Sequence, residues 1–162
     1  MIDFKRFFLF LIKCKKMGKK LFQLLFFACF GMTAEIFFVA FSNLISNTPF
    51  CNEPLYSLTG KTYVWMFPIY ALIPFLLRFI YSKIAQYPIL LRLFIYAFII
   101  FCVEFLSGFL LKQITGKCPW EYTTGYQVCG FIQLEFTPFW MFFAFIIEYL
   151  YLFTEKIFEG RK

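Results

Sequence analysis

The stretch PILLRLFIYAFIIFCVEFLSGFLL, residues Pro88–Leu111, decides the fold of this chain. A helix that crosses about 30 Å of hydrocarbon needs about 20 mostly apolar residues. This stretch is long enough, and its charged residues are Arg92 and Glu104 alone. It therefore predicts a membrane-spanning helix.

Three other stretches have the same length and character: Leu21–Leu44, Thr62–Ser82 and Phe131–Thr154. The composition agrees, because 62% of the 162 residues are apolar, whereas soluble domains have about 45–50%. A small globule cannot bury such an excess. The predicted fold class is an all-α integral membrane protein with four transmembrane helices. A soluble enzyme, a disordered chain and a nucleic-acid-binding domain are excluded, so we expect no nucleic-acid partner.

The N-terminal 20 residues form a basic segment opposed by the single acidic residue Asp3. Its apolar run Phe7–Ile12 is too short to span, so we predict an amphipathic interfacial helix over Phe4–Lys16 that binds anionic lipids. A cleaved signal peptide is the alternative. The apolar run that continues to Ile45 favours an uncleaved first span. The predicted organisation is a basic segment 1–20, a transmembrane domain 21–155 and a basic tail 156–162.

The basic residues predict the orientation. With both termini in the cytoplasm, 13 of the 16 Lys and Arg residues lie on the cytoplasmic side. The three others are Lys61, Lys112 and Lys117. Positive charge collects on the cytoplasmic side of membrane proteins. This split favours an integral membrane protein whose N- and C-termini both lie in the cytoplasm.

Three glutamates lie at a similar predicted depth in the outer half of the membrane. At 1.5 Å per residue, Glu35 and Glu104 lie roughly 21 and 24 Å from the inner face, and Glu135 lies at about the same level as Glu104. Ionisable residues inside a membrane are costly and are functional-site candidates by default. We predict an acidic pocket that binds a cation, a proton or an amine. The alternative is that these carboxylates only hold helices together.

Two prolines in the second span lead us to add Tyr70 to this predicted pocket. Pro68 and Pro74 lie in the second span, and each removes a helix hydrogen bond. The carbonyl groups freed near Val64 and Tyr70 are candidate cation ligands, which places Tyr70 among the predicted binding residues. A packing kink repaired by neighbouring helices is the alternative.

Two residues of opposite charge share a predicted level in the inner half. Arg78 and Glu148 each lie about 16–17 residues inward from the outer end of their spans. We predict an intramembrane ion pair between them, with snorkelling of Arg78 or Arg92 as the alternative.

Catalytic and metal-binding patterns are missing from the sequence. The chain has no His, and no Cys-x-x-Cys pair suggests a metal or redox site. The Gly60-Lys61-Thr62 triplet lacks the upstream glycine of a phosphate loop. We therefore predict no enzyme activity, no metal and no cofactor. Cys51 and Cys118 both lie in predicted outer loops, where a disulfide and two free thiols remain open alternatives.

Several fragments together resemble a known family. The most specific is Cys118-Pro119-Trp120-Glu121-Tyr122 with a downstream Gly130 and Glu135. Further fragments are Gly31–Glu35, Trp65–Tyr70, Arg92–Tyr96 and Glu104–Gly108. The chain resembles the bacterial ABC-transporter type IV (CmpB-like) membrane proteins and the related vertebrate transmembrane-protein-229 group.

The resemblance implies a multi-span membrane protein with permease-like activity. Any ATPase would be a separate chain, since no nucleotide site is present. Four helices leave little room for an internal pathway, so we expect a homo-oligomer or a partner membrane protein.

Overall fold

The structure is a computed structural model that describes residues 4–47, 54–123 and 125–159, with side chains from residue 17 onward except 55 and 159. The helices are α1 (Phe4–Ile45), α2 (Met66–Ala71), α3 (Ile73–Ile84), α4 (Ile89–Thr115) and α5 (Thr137–Glu159). Two short strands, β1 (Gln127–Val128) and β2 (Ile132–Gln133), pair antiparallel. Single 3-10 turns occupy Leu55–Ser57 and Leu134–Phe136.

The predicted fold class is confirmed. Within the part of the chain that the structure describes, four segments are long and apolar enough to cross a membrane: Met17–Ile45, Met66–Ile84, Ile89–Thr115 and Leu134–Phe158. They correspond to the four predicted spans, with shifted ends.

The basic N-terminal segment is not a separate helix. α1 runs without a break through 42 residues, which is about 63 Å at 1.5 Å per residue. No proline interrupts this stretch, so the backbone hydrogen bonds continue from the basic segment into the first span.

The second span consists of two helices. α2 ends at Ala71 and α3 begins at Ile73, because Pro74 has no N–H group for the carbonyl of Tyr70. Pro68 lies in the first turn of α2, where a proline costs little, so the kink expected there does not form. The Val64 carbonyl accepts a hydrogen bond from Phe67 N–H at 3.1 Å. The expectation of a freed carbonyl at Val64 was therefore wrong.

The fourth span starts later than predicted because its first residues belong to the hairpin. β1 and β2 pair Gln127 with Gln133 and Val128 with Ile132. The Tyr126 carbonyl accepts a hydrogen bond from Leu134 N–H at 2.9 Å. These bonds use backbone groups that a helix beginning at Phe131 would need.

The chain divides into two units, Met1–Leu76 and Leu77–Lys162. In the first unit, α1 packs against α2, and Phe27 and Tyr70 are buried there. In the second unit, α4 packs against α5, and Ala97 and Ala144 are both almost fully buried.

Candidate functional site

Glu35, Thr62 and Tyr70 form one hydrogen-bonded group in the first unit, named here the Glu35 site. Oε2 of Glu35 accepts a hydrogen bond from the Thr62 hydroxyl at 2.8 Å and from the Tyr70 hydroxyl at 3.3 Å. Glu35 comes from α1, Tyr70 from α2, and Thr62 from the loop before α2. The carboxylate thus joins three consecutive parts of the chain.

A missing side chain at Gly31 lets Tyr70 reach this position. Gly31 lies one helical turn before Glu35, on the same face of α1. A Cβ atom at Gly31 would overlap the ring of Tyr70. The ring therefore packs directly on the α1 backbone, and its hydroxyl group lies within reach of Glu35.

The two oxygens of Glu35 have different surroundings. Oε2 receives both hydroxyl donors, whereas Oε1 receives no hydrogen bond from the residues that the structure describes. Oε1 is also not buried, and the whole side chain is half-buried. One oxygen is thus fixed by the protein and the other is open to its surroundings.

Glu104 is held by a tyrosine hydroxyl in the second unit. Oε1 of Glu104 accepts a hydrogen bond from Tyr122 at 2.8 Å, and Oε2 is buried. Tyr122 lies in the loop between α4 and β1. Its ring contacts Phe136 edge-on with the centroids 5.8 Å apart, which fixes the direction of the hydroxyl group.

The segment with the family-like motif folds onto α4 around Gly108. A Cβ atom at Gly108 would lie 3.2–3.3 Å from Phe131, Cys118 and Trp120. Phe131 also contacts Phe105 edge-on at 5.3 Å between ring centroids. Gly108 follows Glu104 by one turn, so the same face of α4 carries the carboxylate and the cleft for the aromatic rings.

The remaining motif residues shape this loop. Pro119 and Trp120 occupy a turn, and the Gly130 carbonyl accepts a hydrogen bond from Tyr122 N–H at 2.9 Å. Cys118 is buried with a free thiol, and burial raises the pKa of this thiol. The free thiol of Cys118 agrees with the alternative without a disulfide, and Cys51 itself lies outside the described residues.

Glu135 is the least enclosed of the predicted site residues. It lies in the 3-10 turn before α5 with its side chain exposed. Its Oε2 accepts a hydrogen bond from the Gln133 amide at 2.6 Å. Glu104 and Glu135 thus have separate partners. The predicted common level of all three carboxylates stays a prediction, since Glu35 belongs to the first unit.

The partner predicted for Glu148 was wrong. Both of its oxygens bind Arg92, with Nε–Oε2 at 3.1 Å and Nη2–Oε1 at 2.5 Å, whereas Arg78 is exposed on α3. Counting residues from the ends of the spans gave a common level for Arg78 and Glu148, but it could not give the face on which each side chain lies.

Arg92 also binds the backbone of the connection between α3 and α4. Its Nη1 donates to the carbonyl of Tyr87 at 3.1 Å, and its guanidinium lies over the ring of Tyr81 at 5.9 Å. The Arg92 and Glu148 side chains are 16% and 7% exposed. The Arg92–Glu148 pair therefore uses both carboxylate oxygens inside the second unit.

Sequence reasoning missed Thr62 as a partner of Glu35 and Arg92 as the partner of Glu148. Thr62 was predicted to be the first residue of the second span, and its triplet Gly60-Lys61-Thr62 was weighed as a phosphate loop. A polar residue flanking a span is a signal for a hydroxyl donor, and an arginine in the first turn of a span is a signal for a carboxylate partner.

No known protein family's model matches the chain, and no solved structure matches it. The described residues contain no group of three or more His, Cys, Asp or Glu side chains that could hold a metal ion.

Proposed function

We propose that this polytopic membrane protein is a permease-like component in which Glu35 binds a cation, a proton or an amine. The observation that carries this proposal is the asymmetry of the Glu35 carboxylate. Two hydroxyl groups fix Oε2, and Oε1 stays open. A carboxylate that served only as a structural tie would gain stability by having both oxygens bonded.

The Arg92–Glu148 pair provides the contrast within the same chain. Both of its carboxylate oxygens bind one guanidinium, which is the bidentate geometry that gives the strongest pairs. Both oxygens of Glu148 are already bound by a charged partner inside the protein, so we assign it a structural role. Glu104 and Glu135 remain further ligand candidates of the second unit.

The proposal includes the orientation and the partners that the sequence favours. The chain lies in a bacterial cytoplasmic membrane with both termini in the cytoplasm, supported by the charge split. The basic N-terminal segment binds anionic lipids. The protein works as a homo-oligomer or with a partner membrane protein, and any ATPase is a separate chain. The resemblance to the CmpB-like and transmembrane-protein-229 groups supports the same assignment.

A second candidate function is that of a non-transporting accessory or assembly protein. The observation that favours it is the Glu104–Tyr122 hydrogen bond, which ties a loop to the helix that precedes it. If Glu35 has the same role, Thr62 and Tyr70 are its loop and helix anchors. The two functions differ in whether Glu35 must carry a charge.

The test is the thermal stability of the purified protein in detergent across pH and a panel of cations and amines. A ligand that binds the folded state alone raises the melting temperature by mass action. We expect a rise with one class of ligand that is absent in Glu35→Gln and retained in the exposed-residue control Glu121→Gln. A flat response, with Glu35→Gln as stable as the parent, would favour the accessory function.

A further inference from the structure

We propose that the ligand of Glu35 is a proton, exchanged at Oε1, and that its binding loosens the loop that Thr62 fastens to α1. This inference rests on the proposed function, which leaves open a cation, a proton and an amine. It follows from the number of acceptor atoms at the Glu35 site and from the way the loop lies against α1.

The Glu35 site has one carboxylate and two neutral hydroxyl groups, which is a sparse ligand set for a metal ion or an amine. Ca²⁺ takes six to eight oxygen ligands and Mg²⁺ takes six in a strict octahedron. An alkylammonium group has three N–H donors to satisfy. The Thr62 and Tyr70 hydroxyls donate to Oε2 and keep neutral oxygens as acceptors. The charged acceptor that stays open is the single oxygen Oε1, and a proton needs no more than one.

Proton binding changes the acceptor that holds the loop. The proton adds to Oε1, an O–H bond forms there, and the carboxylate charge is neutralised. Oε2 then becomes the carbonyl oxygen of a carboxylic acid. Hydrogen bonds to an ionised acceptor are roughly twice as strong as neutral ones, so the bonds from Thr62 and Tyr70 weaken on protonation.

The loop before α2 is placed so that this weakening can move it. A Cβ atom at Gly60 would overlap the backbone carbonyl of Ile36, so the loop lies directly on the α1 backbone next to Glu35. Thr62 follows two residues later and makes the 2.8 Å bond to Oε2. Tyr70, in contrast, is 6% exposed and is held by its packing on Gly31. The loop is thus the part that depends most on the carboxylate.

Among the described residues, the side chains that hydrogen-bond to Glu35 are Thr62 from the loop and Tyr70 from α2. The charged group on the same loop is Lys61, whose ammonium group lies 5.6 Å from the ring centroid of Tyr63.

The experiment is labelling of the full-length protein in detergent with dicyclohexylcarbodiimide, followed by mass spectrometry of the peptides. This reagent adds to protonated carboxyl groups in apolar surroundings. The carboxyl proton moves to a carbodiimide nitrogen, the oxygen bonds to the central carbon, and the adduct rearranges to an N-acylurea without a leaving group. We expect labelling at Glu35 that falls roughly tenfold for each pH unit above its midpoint. Glu148 is the internal control, since Arg92 binds both of its oxygens.

The competing ligands are tested at constant pH with sodium, potassium, calcium and methylammonium. If none of these ligands reduces the labelling of Glu35, the result supports a proton as the ligand. Saturable protection by one of them overturns the proton inference but leaves the proposed function standing. No labelling of Glu35 at any pH overturns the inference. If the melting temperature is also insensitive to every ligand and to pH, the proposed function fails with it.

The loop is tested by amide hydrogen exchange over residues 58–63. We expect faster exchange at low pH in the parent protein and no pH response in Glu35→Gln once intrinsic rates are corrected. Thr62→Val keeps the shape of the side chain but removes the hydroxyl group. In this variant the amides of residues 58–63 should exchange as fast at high pH as those of the parent protein do at low pH. Equal exchange in the parent at both pH values would overturn the coupling between the proton and the loop.

Discussion

Glu35 and Glu148 both place a carboxylate within a long apolar helix, but the groups that hold them differ in charge and in number. Glu148 binds an arginine through both oxygens, whereas Glu35 binds two neutral hydroxyls through one oxygen. A carboxylate that binds a guanidinium through both oxygens is tied to that partner, because removing it leaves a charge with less compensation. A carboxylate with hydroxyl partners can gain or lose a proton at a smaller cost. The difference separates a structural glutamate from a candidate ligand.

The largest effect should come from breaking the Arg92–Glu148 pair. Glu148→Leu should lower the free energy of unfolding by up to about 3–5 kcal/mol, because it removes the carboxylate from a half-buried Arg92 and leaves only neutral partners for its charge. The double variant Arg92→Met with Glu148→Leu should recover most of this loss. Thermal or denaturant unfolding in detergent measures both. A single variant as stable as the parent would contradict the structural role of the pair.

The packing of Tyr70 on Gly31 should have the next largest effect. Gly31→Ala places a methyl group inside the ring position and should cost about 1–3 kcal/mol. Gly18→Ala is the matched control in the same helix, since no atom lies within 4 Å of the added Cβ, and helix propensity predicts a gain of about 0.5–1 kcal/mol there. Equal stability of the two variants would contradict the packing of the Tyr70 ring on the backbone at Gly31.

Removal of one hydroxyl group compares the two tyrosine–glutamate contacts. Tyr122→Phe deletes the 2.8 Å bond to a largely enclosed Glu104 and should cost about 1 kcal/mol. Tyr70→Phe should cost less, because its bond is 3.3 Å and Thr62 still donates to the same oxygen. The unfolding free energies of the two variants test this order, which a larger loss in Tyr70→Phe would reverse.

The last comparison measures chemical reactivity rather than stability, and it concerns two cysteines of the second unit, Cys118 and Cys129. Burial disfavours the Cys118 thiolate and raises its pKa, so at neutral pH this thiol stays protonated and unreactive. Cys129 is exposed in the hairpin turn. Iodoacetamide should modify Cys129 first and Cys118 only at higher pH or after unfolding. Equal rates in the folded protein would show that the loop does not cover Cys118.

The fold could be predicted almost completely from the sequence, because apolar runs of spanning length have few alternatives. The ends of the spans could not. The hairpin before α5 takes residues that hydropathy assigns to the helix, because hydrogen bonds within the loop compete for Phe131–Gln133. The helix break at Pro74 could be predicted from the residue type. Pro68 does not break the helix because it lies in the first turn of α2, and the sequence did not show where α2 begins.

The candidate site could be predicted residue by residue but not contact by contact. Glu35 and Tyr70 were both named from the sequence, and the structure joins them through the tyrosine hydroxyl rather than through a freed carbonyl. The partner of Glu148 was misassigned because depth along a helix does not specify direction around it. Thr62 was missed because its loop comes close to α1 only through Gly60.

The sequence by itself determined that this chain is an all-α membrane protein with four spans and with carboxylates inside them. Length and hydropathy suffice for that, because unsatisfied backbone groups are too costly in hydrocarbon for any other arrangement of such runs. The tertiary structure decided which carboxylate is closed and which is open. That distinction depends on the faces of the helices and on the glycines that let rings and loops approach them, and neither is encoded in the position of a residue along its own span.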